Sequence, residues 1–162
     1  MKRLFLIDAY ALVFKYYYAF MGRPMRNRYG MNTSILFGFT KFLRDIQKRE
    51  KPDLLGVALD PKGGSFRCDI FPEYKANRAE TPEDIILSTP YIKRRLEAMC
   101  IPILEVEGYE ADDVIGTLSR KGVEAGYEVF MVTPDKDYGQ LVGERCHIYK
   151  QKGDGIEIVD CE

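Results

Sequence analysis

The 162-residue sequence has no tryptophan, one histidine and four cysteines. Cys68, Cys100, Cys146 and Cys161 stand apart, with no CxxC pair and no histidine at zinc-ligand spacing. That excludes a zinc ribbon and a disulfide framework, and the thiols read as reduced, in a cytoplasmic protein. His147 falls in a late strand-like run and reads as a packed or surface residue, not as a ligand or base. No segment approaches the ~20 apolar residues that span a bilayer, so no membrane partner is expected. The start, MKRLFLIDAYALVF, imitates a signal peptide, but Asp8 interrupts the apolar run after Leu4–Ile7 and no small-residue cleavage site follows. Low-complexity tracts and internal repeats are also lacking.

What remains has the size of one globular domain, able to bury roughly two-thirds of its unfolded surface. The formal net charge is only −1, yet it is unevenly spread. Residues 1–51 hold 11 Lys and Arg against 3 acids and residues 52–162 hold 13 against 22, so the two parts carry +8 and −9. Such a split reads either as two solvated faces or as a surface for an anionic polymer beside a site for cations.

Short apolar runs alternate with helical patterns. RLFLID and LLGVALD read as buried strands, and TSILFGFTKFLRDIQKRE as an amphipathic helix begun by Thr33 or Ser34. TPEDIILSTPYIKRRLEAMC reads as a helix with Thr81 as N-cap and Pro82 at the first helical position, and Pro90 is expected to kink or break it. Strand IPILEV, helix EADDVIGTLSRKGVEAG, strand YEVFMVT, a short turn or helix after Asp135, and strands near RCHIYK and GIEIV follow. The alternation predicts an α/β fold: a mainly parallel central sheet with helices on both faces, formed by residues 1–162 as a single domain. Open sheets of this kind carry their working groups at the carboxyl ends of the strands.

On that rule seven acids gather at one edge. Asp8 closes the first strand and Asp60 the second; Glu110, Asp112 and Asp113 follow the third, and Asp135 and Asp137 the fourth. Each alone reads as a helix cap or macrodipole partner. Together they raise one another's pKa and destabilise the fold unless cations neutralise them, which points to hard, oxygen-seeking divalent ions, Mg²⁺ or Mn²⁺. In EGYEADDVIGTL, positions 110 and 113 share a helix face and Asp112 is turned by ~100° from Asp113, so oxygens are offered in two directions. The complementary charge lies in GGSFRCDIFPEYKANRAETP, where Arg67, Lys75 and Arg78 are interleaved with Phe66, Phe71 and Tyr74, a mixture suited to phosphate contacts and base stacking. Read alone, that stretch is equally a solvated loop.

In order and spacing, LIDAYALVFKYYYAF, VALDPKGGSFR, PEYKANR, EGYEADDVIGTL and TPDKDYGQL resemble the 5′-nuclease domain found at the N-terminus of bacterial DNA polymerase I, akin to flap endonucleases and PIN-like nucleases. The resemblance covers nearly the whole chain. It implies a first metal site from Asp8, Asp60, Glu110 and Asp112, a second from Asp113, Asp135 and Asp137, and two ions in the complete enzyme. It also implies a helical-arch-like segment at about 63–90 whose Lys75 and Arg78 act on the scissile phosphate, with Lys15, Arg67 and Tyr74 as further DNA contacts. Lys15 stands where many relatives carry arginine, which turns a bidentate fork into a point charge.

The chain stops at IEIVDCE, before the further aspartate and the glycine-rich helix-three-turn-helix that the resemblance places beyond it. The expected activity is metal-dependent 5′→3′ exonuclease and flap endonuclease hydrolysis of DNA at 5′ flaps, nicks and branched duplexes. The setting would be bacterial, cytoplasmic and nucleoid-associated, with a covalently linked polymerase region as an expected partner. A DNA-binding module with little catalysis is the alternative from another class. An aspartyl-phosphate phosphatase fits less well, since Asp8 is followed by Ala-Tyr and lacks a second acid two positions on.

Overall fold

The computed structural model describes residues 1–161. Six strands form one sheet: β1 (Arg3–Asp8), β2 (Leu54–Ala58), β3 (Ile103–Leu104), β4 (Glu128–Val132), β5 (Cys146–Lys152) and β6 (Gly155–Val159). Their order is β3-β2-β1-β4-β5-β6; the first five are parallel and β6 returns antiparallel to β5 as a hairpin. The chain therefore builds outward from β1 to β3 and then crosses back to place β4 on the other side of β1. In open α/β sheets the ligand crevice lies outside the carboxyl ends of the strands where the order reverses, which here are those of β1 and β4.

Alternation along the strands divides the core in two. Phe5 and Ile7 of β1 face one side with Val57, Phe130, Val132 and Tyr149, under α1 (Ala9–Ala19), α2 (Ser34–Glu50) and α4 (Glu83–Ala98). Leu6 faces the other side with Ala58, Val129, Met131 and Ile148, under α5 (Ala111–Glu124). Helices thus cover both faces, as the sequence pattern predicts. Each fully buried Leu, Ile or Phe contributes about 1.5–3 kcal/mol of transfer free energy, so the two clusters set the register of every strand. Gly38 of α2 lies so close to α1 that an added Cβ would sit 2.6 Å from the Tyr16 ring.

Several boundaries differ from expectation. The strand read at IPILEV shrinks to Ile103–Leu104, an edge strand preceded by Pro102, which has no N–H to give but accepts from Val57 N at 3.0 Å. The helix read from Thr81 begins at Glu83 with Pro82 as its cap residue, and no side chain caps it. Pro90 does not break that helix: it sits on the exposed side while Ile85, Ser88, Ile92 and Leu96 are buried on the other. Helix α1 had no counterpart in the periodicity, because its aromatic run buries only Ala9, Leu12 and Val13 fully. Between β2 and α4, the chain makes the short helix α3 (Phe66–Ile70), then turns through 72–78. No helix among the described residues is long and apolar enough to cross a membrane.

Candidate metal centre and its basic cover

Asp8 is the last residue of β1 and the N-cap of α1, so its carboxylate is held at the crevice by two elements at once. It is only 8 % exposed. Ala11 N donates to Oδ1 at 3.5 Å, and the hydroxyls of Tyr138 and Thr133 donate to Oδ2 at 3.1 and 3.5 Å. Burial pushes its pKa up to about 6, the hydrogen bonds from Tyr138 and Ala11 oppose the rise, and the charges of Asp60 and Asp135 add to it. A buried carboxylate met only by neutral donors and further acids is short of positive charge.

The neighbouring loops bring the other acids. Asp60 lies two residues beyond β2 and accepts from Ala111 N at 2.7 Å, satisfying one of the free amides at the start of α5. Glu110 is the N-cap of α5. Asp112 and Asp113 follow in its first turn, and one oxygen from each of these three carboxylates lies within 4.8 Å of the others. Asp135 Oδ1 accepts from Asp137 N at 2.9 Å, opening the 3₁₀ turn Lys136–Leu141, whose Tyr138 reaches back to Asp8. Asp135 and Asp137 are both exposed.

The seven predicted acids therefore come to one edge by four different strand ends, but not as one knot. Glu110, Asp112 and Asp113 form a close triad, and Asp8, Asp60 and Asp135 interact across the crevice.

Two of these acids, Glu110 and Asp113, are met by the basic segment itself. Arg67, on α3, places Nη1 2.7 Å from Asp113 Oδ2 and Nη2 2.6 Å from Asp113 Oδ1, and Nη1 also lies 3.1 Å from Glu110 Oε2. Lys75 Nζ is 2.5 Å from Glu110 Oε1, and the Tyr74 hydroxyl donates to Glu110 Oε2 at 3.3 Å. Lys75 adopts this position with φ at 59°, a left-handed conformation that a lysine holds only where its surroundings enforce it. The guanidinium hydrogen bond holds the Asp113 carboxyl below its ordinary pKa, whereas burial and the charges of Glu110 and Asp113 raise that of Asp112. Asp112 accepts only from the amide of Asp113, at 3.0 Å, so it is the member of the triad left without a cationic partner.

The root of the basic segment is pinned to the acidic loop by more than charge. Ser65 and Gly108 form a β-bridge, Phe66 N donates to Gly108 O at 2.7 Å, and the Phe66 and Tyr109 rings lie 5.4 Å apart. Gly108 has φ at 82°, a conformation that a side chain would oppose.

Other predicted residues lie elsewhere. Arg78 is exposed, and Lys15 bonds Gln151 Oε1 at 3.3 Å on the α1 side of β5, apart from the acids. The basic first segment contributes Lys41, Arg44 and Lys48 to a separate groove of about 580 Å³ between α2 and α4, completed by Arg95. Sequence reasoning missed Thr133 and Tyr138 as partners of Asp8. Their signal was present in TPDKDYG, where a hydroxyl residue closes the strand and a tyrosine follows the second acid.

The donor set is all oxygen, and neither His147 nor a cysteine belongs to it, so it fits a hard divalent cation. Residues 3–162 match the family model described as the 5′-3′ exonuclease, N-terminal resolvase-like domain. The chain belongs to this exonuclease family. It is 41% identical over 145 residues to DNA polymerase I of Chloroflexus aurantiacus, covering 90% of this chain and 15% of the polymerase. It is 34% identical over 156 residues to a 5′-3′ exonuclease of Aquifex aeolicus, covering 96% of this chain and 53% of the relative. The chain thus spans no more than about half the length of these relatives. A bacteriophage T5 protein crystallised with metal ions shares the exonuclease-family fold, with a TM-score of 0.71 at 20% identity over 96% of this chain and 57% of the phage protein.

Proposed function

We propose that this chain forms the metal-binding and phosphate-binding part of a 5′ nuclease that hydrolyses DNA phosphodiesters at 5′ ends, flaps and branched duplexes. The observation that carries the reading is the meeting of the acid edge with the basic segment 66–78 at the reversal point of the sheet. A phosphodiester presents anionic oxygens, a scissile P–O bond and an attacking water. A site for it needs cations on one side and fixed positive groups on the other.

Asp8, Asp60, Glu110, Asp112, Asp135 and Asp137 are the residues that would hold divalent cations, Mg²⁺ or Mn²⁺. Such ions, when bound, lower the pKa of water and neutralise charge on the phosphate and the departing 3′ oxygen. Asp8 supplies a buried carboxylate that Thr133 and Tyr138 orient. Glu110 would be one of the ligands, and Lys75, which pairs with it here, carries the ammonium that would meet a phosphate oxygen. Arg78, exposed three residues on, is free to join it. In-line attack of water would leave a 5′-phosphate and a 3′-hydroxyl.

The names of the relatives, a 5′-3′ exonuclease and a DNA polymerase, support DNA as the substrate and a linked polymerase region as a partner. The four free cysteines fit a reducing, cytoplasmic setting. Cleavage of a 5′-labelled flap duplex with Mg²⁺ or Mn²⁺ tests the reading. The expected result is metal-dependent release of short 5′ products that disappears in Asp112→Asn. Binding of flap DNA without cleavage at any metal concentration would favour the binding-module alternative.

A further inference from the structure

The family resemblance assigns Asp113 to the second metal and Arg67 to DNA, but the geometry points to a different use of both. We propose that Asp113 and Arg67 form a strut that positions Glu110 and the root of the basic segment, and that Asp113 is not a metal ligand. The inference rests on the nuclease reading of the same site.

Asp113 differs from Glu110 in how it is held: the oxygens of Glu110 are shared among Lys75, Tyr74 and a single Arg67 nitrogen, whereas both oxygens of Asp113 are taken by one guanidinium fork. Each of its oxygens accepts from a different terminal nitrogen of Arg67, at 2.6 and 2.7 Å, in the fork arrangement that matches a guanidinium to a carboxylate. Oδ2 also accepts from Glu110 N at 3.0 Å. That bond closes the first turn of α5 on its own cap residue, so Asp113 fixes the backbone from which Glu110 projects. Asp112 makes none of these bonds to a cation and is exposed. Adjacent acids in one helical turn therefore do different work: Asp113 is turned to the protein, and Asp112, exposed and without a cationic partner, is the one that would meet an ion.

Arg67 is equally committed. Its guanidinium spans Asp113 and Glu110 and lies 4.7 Å from the Phe66 ring centroid, with Phe66 itself packed on Tyr109 and bonded to Gly108. Backbone, ring and ion pair together clamp residues 65–67 onto residues 108–113. Tyr74, Lys75 and Arg78 hang from that clamp. Arg67 acts on a phosphate only through them.

The decisive variant keeps the net charge of the site. Arg67→Gln with Asp113→Asn removes the strut and one charge of each sign, so a change in ion binding cannot come from a change in the net charge of the site. In the full chain, Mn²⁺ titration followed by calorimetry should find the same number of ions with affinity within threefold of the original protein. Asp112→Asn should weaken binding more than tenfold. Amide exchange across residues 66–78 should quicken at least tenfold in the double variant. On a 5′-flap duplex its kcat should fall about tenfold with KM within threefold. Loss of an ion or a tenfold loss of affinity in the double variant would overturn the proposal, as would unchanged exchange at 66–78. Should the double variant fail to fold, Arg67→Lys tests the same point, since it keeps the charge and loses the fork: faster exchange with intact Mn²⁺ binding supports the strut, and the converse rejects it. An unaltered protein that binds no Mn²⁺ would instead sink the nuclease reading.

Discussion

Tyr138 donates its hydroxyl to Asp8 across 130 residues of chain, at 3.1 Å, and so ties the turn after β4 to the end of β1. The bond bridges the crevice where the sheet reverses, and it gives the buried carboxylate one neutral partner in place of a cation. Asp8 consequently costs the empty fold stability. Its folded pKa of about 6 stands above the unfolded value of 3.8, so the folded state holds the proton more tightly. The associated stability is fully present below pH 3.8 and is lost as pH rises through 6. At about 1.4 kcal/mol per pH unit, the loss amounts to about 2–3 kcal/mol by neutral pH. Asp8→Asn should therefore be more stable than the original protein at pH 7.5 without metal, and the two should converge near pH 4. Urea denaturation at both pH values checks this; parallel stability profiles would reject it.

Tyr138→Phe isolates the hydroxyl. Removing it leaves Asp8 Oδ2 with only the longer Thr133 contact, so the metal-free protein should lose about 1–2 kcal/mol at pH 7.5, since a buried acceptor is deprived of its donor. Below pH 4 the deficit should shrink, because a protonated Asp8 demands less of its surroundings. Added Mg²⁺ should restore much of the difference if the ion meets the same carboxylate. Thermal melts with and without Mg²⁺ measure it, and a deficit of equal size at both pH values would show a packing effect alone.

Pro90 offers a test away from the crevice. It is exposed in the middle of α4 and leaves the Ile86 carbonyl without the amide that a helix would supply. The Ser88 and Thr89 hydroxyls bond the carbonyls of Asp84 and Ile85, at 2.6 and 2.8 Å, and neither reaches that of Ile86. Pro90→Ala should stabilise the fold by about 1–3 kcal/mol and leave metal binding untouched. A lower melting temperature would mean that the rigid proline φ contributes more than the hydrogen bond it removes.

How much of this was legible in the sequence depends on the range of the interaction. The strands at RLFLID and YEVFMVT and the helices at 34–50 and 111–124 follow from local periodicity, and the acid edge follows from those strands through the rule that places function at their carboxyl ends. Helix α1 escaped because a run of Tyr and Phe has no clear polar face. Pro90 misled because the local cost of proline was outweighed by burial of Ile85, Ile92 and Leu96. The partners of the acids were illegible for another reason. Arg67 meets Glu110 and Asp113 across 43 and 46 residues, a contact that only the folded positions of α3 and α5 determine.

Lys75 and Arg78 test what the basic segment does once the ions are bound. Lys75 is held by Glu110 and also lies 5.0 Å from the Tyr74 ring centroid, so its resting position is defined by two contacts and a left-handed backbone. On the proposed reading a phosphate would have to compete with Glu110 for that ammonium, and a cation held by Glu110 would ease the competition. Arg78 is exposed and makes no side-chain hydrogen bond or ion pair among the described residues. Alanine at either position should therefore lower flap cleavage by about 10²–10³-fold, the range found when one charge-stabilising donor is lost. Mn²⁺ affinity should change little in Arg78→Ala and should increase in Lys75→Ala, because the ion no longer displaces an ammonium from Glu110. The two effects separate a phosphate clamp from a ligand by direction as well as size. Single-turnover cleavage at saturating Mn²⁺, paired with calorimetric titration of the metal alone, reads both; weaker Mn²⁺ binding in Lys75→Ala would show that the lysine orders Glu110 for the ion and does not compete with it.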